Sequence, residues 1–172
     1  MKTIGLFAII VLLGISCNNR EVNIKEDNKA EIEEAMDSIN SYVIKRTGST
    51  DFFSDSEGNY YINFESKLAV LRKDNLFLGY LNHDSLQDAV FSYPVSRNNQ
   101  TLYTTVLILT GTKQGLSIRH EIQRNIKIEK IENKIVYAEQ FKQGYDSPHF
   151  GCKACIEKIK LELVGDSLVE VK

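Results

Sequence analysis

From Tyr60 to the last residue, apolar side chains come in short runs rich in β-branched and aromatic residues, and turn-forming residues separate them. Strands joined through tight turns produce that rhythm, and a helical bundle does not. The runs cover residues 60–64, 76–81, 88–93 ahead of Pro94, 102–109 and 116–122, followed by Ile126-Lys127-Ile128 alternating toward Ile131. Glu132-Asn133-Lys134 predicts a hairpin turn into Ile135-Val136-Tyr137. Gly165-Asp166 predicts another, between the alternating Ile159, Leu161 and Leu163 and the returning stretch 168–171. Residues 66–72 suit either a helical turn or a strand, and 47–59 read as a polar loop.

Ahead of the strands, Ile32, Ala35, Met36, Ile39, Tyr42 and Val43 recur at the spacing that places them on one face of a helix. Asp27 or Asn28 caps its start. Glu31, Glu33 and Glu34 suit the positive end of its dipole and form a solvated face, and Lys45-Arg46 followed by Gly48 ends it. The expected class is α+β: an N-terminal amphipathic helix packed on one face of a mainly antiparallel β-sheet built of hairpins. No repeat of solenoid or propeller length is present.

Residues 1–16 read as a signal peptide, with Lys2 ahead of an apolar run over 4–15 and Ser16-Cys17 closing it. A run of about a dozen falls short of the roughly 20 residues a spanning helix needs. Leu13-Gly14-Ile15-Ser16-Cys17 resembles the bacterial lipobox, with Ile15 departing from the commonest pattern. That resemblance implies cleavage before Cys17 and lipid on its sulfur, so the membrane becomes a partner through Cys17. Asn18 is not the aspartate that retains enteric lipoproteins at the inner membrane, so the expected address is the outer membrane, facing the periplasm. Residues 17–28, almost all polar, read as a flexible tether, and 29–172 as a single α+β domain. Removing residues 1–16 takes Lys2 alone among charged residues, leaving 20 basic against 23 acidic side chains. That balance attracts neither nucleic acid nor an anionic bilayer.

The most distinctive string runs over 79–90, Gly-Tyr-Leu-Asn-His-Asp-Ser-Leu-Gln-Asp-Ala-Val. It resembles the acidic turn of FG-GAP and VCBS-type repeats, whose alternate loop positions supply oxygen ligands to Ca²⁺. Asn82, Asp84 and Asp88 match three ligand positions, while Tyr80 replaces the first aspartate and Ser85 the glycine. The resemblance implies a possible Ca²⁺ site. Read as residues alone, the same side chains are of the kind that hold hairpin turns by bonding backbone groups. More loosely, residues 75–172 look like small periplasmic lipoproteins that carry one such turn, which implies a fold and no activity.

His149, Cys152 and Cys155 share a three-residue spacing that suits zinc or thiol redox chemistry. In an oxidising compartment a structural Cys152–Cys155 disulfide is the first expectation, and lipidation of Cys17 accounts for the odd cysteine. No nucleophile elbow, zinc-protease helix or phosphate loop appears. The expected function is non-enzymatic binding of an envelope protein or component by a lipid-anchored module without a cofactor. Alternatives are a thiol-disulfide oxidoreductase using Cys152 and Cys155, and a Ca²⁺-dependent adhesion or carbohydrate-binding module. The tyrosines at 60, 61, 80, 93, 103, 137 and 145 are ordinary strand residues, but a cluster on one sheet face would mark a binding surface.

Overall fold

The computed structural model describes residues 24–141 and 155–172, with side chains from Lys29 onward. Helix α1 (Ile24–Thr47) comes first, then β1 (Asp51–Ser54), β2 (Tyr60–Phe64), β3 (Lys67–Leu71), a 3-10 turn (Lys73–Asn75) and β4 (Leu76–Gly79). There follow β5 (Asp88–Arg97), β6 (Gln100–Thr112), β7 (Gly115–Gln123), β8 (Ile126–Glu132), β9 (Ile135–Phe141), β10 (Ile156–Val164) and β11 (Ser167–Val171). The strands form a seven-stranded sheet, ordered β1-β2-β3-β5-β6-β7 with β4 beside β5, and a four-stranded sheet, ordered β11-β10-β9-β8. All the strand pairs are antiparallel.

The hairpins explain the registers. Glu65-Ser66, Asn98-Asn99 and Asn133-Lys134 each place both turn residues at φ between 49° and 66°. That is the left-handed pair whose twist matches the twist of the flanking strands. Strand β5 runs through Pro94, where the sequence suggested an end. Thr104, opposite Pro94, turns its carbonyl to the Arg124 N–H on the far side, so the proline nitrogen faces away from β6. There β5 is between its pairings with β4, which reach Phe91, and with β3, which begin at Val95, so the missing N–H breaks no ladder.

Two cores result. On one face of the large sheet, Met36, Ile39 and Val43 of α1 meet Ile62, Ala69, Leu71, Phe91, Leu107 and Leu109. Burying each of those three helix side chains contributes about 1.5–3 kcal/mol. On the other face, Val90, Val106 and Ile108 meet Ile126, Ile128, Val136, Ala138, Ile159, Leu161 and Leu168 of the small sheet, with Leu81. The expectation of one sheet is therefore corrected to two. Strands β5 and β6 are buried on both faces, which is why Val106-Leu107-Ile108-Leu109 is an unbroken apolar run.

Other boundaries also move. Helix α1 begins at Ile24, so 24–28 are helical where a tether was expected, and Asp27 and Asn28 lie inside the helix instead of capping it. Its end is as expected: Gly48 follows at φ +66, and Thr47 Oγ1 donates to Val43 O at 2.8 Å. Strand β1 occupies part of the expected polar loop; all its residues are exposed, so no alternation betrayed it. Residues 67–71 resolve the ambiguous segment as strand β3. Among the described residues no helix is long and apolar enough to cross a membrane.

Candidate functional site

The acidic turn joins β4 to β5, and its side chains divide into two groups. Asp88 is fully buried: Oδ2 accepts the Leu81 N–H at 2.8 Å and Oδ1 accepts the Gly111 N–H at 3.0 Å. It pins the turn to β6 while Leu81 plugs into the core between the sheets. Gly111 is required by this approach, because a Cβ there would lie 2.5 Å from the Gln87 carbonyl oxygen. Asn82 and Asp84 are tied to each other. Asn82 Oδ1 accepts the Asp84 N–H at 2.8 Å, Asn82 Nδ2 donates to Asp84 Oδ2 at 2.9 Å, and Asp84 Oδ1 accepts the Leu86 N–H at 2.9 Å. Of the three residues named for a cation, Asn82 and Asp84 thus line the surface, and Asp88 spends both oxygens on backbone donors. Among the described residues no group of three or more His, Cys, Asp or Glu is placed to hold a metal.

Asn82 and Asp84 form one wall of an open cleft of about 550 Å³. Thr110 and Gly111 of β6 and Arg119 and His120 of β7 form the second, and Leu163, Gly165 and Asp166 from the β10–β11 hairpin the third. The cleft therefore lies on the seam between the sheets. His120 Nε2 is 3.0 Å from Asp166 Oδ1, which ties the large sheet to the small one. Arg119 Nε donates to Thr110 Oγ1 at 3.1 Å, which orients the guanidinium.

Neighbours on a regular strand point to opposite faces, yet Arg119 and His120 share this cleft. The register explains it. Ile108 pairs with His120 and Leu109 with Ile118, so Arg119 is the extra residue of a β-bulge. Bulges re-aim side chains in this way.

No protein-family model, curated protein or solved structure matches the chain.

Of the other expected site residues, Cys17, His149 and Cys152 lie outside the described residues. Cys155, just ahead of β10, is buried at 4% exposure. Reading the sequence missed Thr110, Arg119, His120 and Asp166, because nothing local to any of them marks a site. The bulge in β7 is invisible to a local pattern, and although the Gly165-Asp166 hairpin is itself local, its packing against β7 is a long-range feature.

Proposed function

We propose that this chain is a lipid-anchored, non-enzymatic binding protein of the bacterial envelope, whose seam cleft receives a polar group of an envelope protein or component. The observation that carries the reading is the convergence of Asn82, Asp84, Arg119, His120 and Asp166, from three separate chain segments, on one open cleft. Both donors and acceptors are present, and the Arg119–Thr110 and His120–Asp166 contacts hold three of those side chains in place before any partner arrives. Preorganised polar groups lose less freedom on binding.

The lipobox-like stretch ending at Cys17 supports the address, with diacylglycerol on that sulfur as the anchor and the outer membrane, periplasmic side, as its place. On this reading α1 is the amphipathic N-terminal element that connects the anchored end to the sheets. Cys152 and Cys155 form a disulfide that tightens the approach to β10.

The test is site-specific photo-crosslinking in cells, with the photoreactive residue at Arg119 or Asp166 in the cleft or at exposed Ser41 on α1. A discrete adduct from both cleft positions, absent from position 41, is expected. Identical adducts from all three positions, or none from the cleft, would refute the reading.

A further inference from the structure

At the C-terminal end of α1 a second recess of about 190 Å³ opens on the helix-covered face of the large sheet, away from the seam cleft. Its lining brings Tyr93 and Thr105, both nearly fully buried, together with Phe64 and Tyr103. The volume is below the roughly 300–1,000 Å³ typical of sites for drug-sized ligands, so an occupant must be small.

Two ion pairs stand at its edges, and each has one exposed and one sunken member. The Glu121 side chain is 19% exposed against 64% for its partner Arg46, and that of Lys67 is 21% exposed against 75% for Glu65. All four line the recess, and the two sunken members, the Glu121 anion and the Lys67 cation, enter it from β7 and β3, the strands on either side of β5 and β6. Both have unused capacity. The Tyr42 hydroxyl donates to Glu121 Oε2 at 2.8 Å and Arg46 Nε lies 3.4 Å from that same oxygen, so Oε1 takes no bond from a described residue. Lys67 Nζ gives one of its three donors to Glu65 Oε2 at 3.1 Å and sits 5.6 Å from the centre of the Phe64 ring. Burial, then the bond to Glu121, pushes the Tyr42 phenol above its ordinary value, so it stays a donor and Oε2 stays occupied.

We propose that this recess binds a small zwitterion with an apolar or aromatic body, of about dipeptide size. The ligand's ammonium meets Glu121 Oε1, its carboxylate meets Lys67 Nζ, and Phe64, Tyr93 and Tyr103 surround the body. Glu121 and Lys67 already have partners in Arg46 and Glu65, so a ligand of one sign would use the spare capacity of only one of them, whereas a ligand of both signs makes a charge-assisted contact with Glu121 Oε1 and with Lys67 Nζ. This site stands apart from the seam cleft, and the failure of either leaves the other intact.

Calorimetric titration of the purified full-length protein with alanyl-phenylalanine, its N-acetyl derivative and its C-terminal amide tests the proposal. The free dipeptide is expected to bind, with each derivative about tenfold weaker, the factor for losing one charged contact of about 1.4 kcal/mol. Glu121→Gln should erase discrimination against the N-acetyl derivative alone, and Lys67→Gln discrimination against the amide alone. Should Glu121→Gln fail to fold, Gln123→Trp decides, because it fills the recess from an exposed position and should abolish binding without lowering the melting temperature. No heat from the free dipeptide, equal binding of the derivatives, or indifference to Gln123→Trp would each overturn the proposal.

Discussion

Asp88→Ala is the sharpest test of what the acidic turn is for. The carboxylate is fully buried, and each oxygen accepts one backbone N–H, from Leu81 and from Gly111. Hydrogen bonds to a charged group contribute about 1.5–3 kcal/mol each, so losing both should cost about 3–6 kcal/mol. That is a large share of the roughly 5–15 kcal/mol by which a domain is stable. Asp88→Asn keeps one acceptor and turns an NH₂ toward the other donor, so about half the loss is expected. Asp84→Ala, on the exposed part of the turn, should stay within about 0.5 kcal/mol, as surface changes usually do. Urea unfolding measures the differences, and hydrogen exchange at the Leu81 and Gly111 amides locates them. An Asp88→Ala protein within about 1 kcal/mol of the parent, or one retaining protection at both amides, would show that the carboxylate does not hold the turn.

Three further outcomes are expected. Gly111→Ala drives a methyl against the Gln87 carbonyl oxygen and the Leu86 side chain, and should lower stability by about 1–3 kcal/mol in a thermal melt, while Gly48→Ala, strained but with open space around it, avoids that clash. The Asp55 carboxyl is held down at about 2, chiefly by the Asn59 side-chain amide and N–H, with the Tyr61 hydroxyl and the Glu57 N–H adding to them. Its folded value lies below the unfolded one, so its contribution is complete above about pH 4 and disappears as pH falls through about 2. A carboxyl NMR titration with a midpoint near 4 would contradict that network. Cys17→Ala should lose acyl labelling and move to the soluble fraction, and unchanged membrane partitioning would dismiss the lipid anchor.

Much of the fold was legible because burial and turn chemistry write periodic patterns. Met36, Ile39 and Val43 announce a helical stripe, and Asn133-Lys134 announces a hairpin, since each rule acts within a few residues. The second sheet was not legible. Val106 and Ile108 look the same in sequence whether they meet solvent-excluding helices or another sheet, and the switch rests on a short corner at Arg124-Asn125. There Arg124 reaches Leu168 O at 3.3 Å and Gln140 Oε1 at 2.9 Å, contacts across the small sheet that no local pattern encodes. Pro94 misled for a related reason: whether a proline ends a strand depends on what its nitrogen faces, and here that is a gap between β3 and β4.

The candidate sites were less legible still, and β7 shows why. In a regular strand, residues 119, 120 and 121 would alternate between faces, and the sequence offers no reason to expect otherwise. The bulge at Arg119 turns it and His120 toward the small sheet, into the seam cleft. Glu121, opposite Leu107, then faces the helix side, where Tyr42 and Arg46 hold it at the recess. Strand β6 divides the same way, giving Thr110 and Gly111 to the cleft and Tyr103 and Thr105 to the recess. Asn82 and Asp84 belong to the distinctive acidic turn, but the strand residues that complete the cleft and the recess leave no motif, because each is a single residue at the end or bulge of a strand that is apolar in the middle. The same geometry makes the two sites separable: His120 and Glu121 are adjacent in the chain, yet the sheet stands between them, so a change at one should leave ligand contacts at the other untouched.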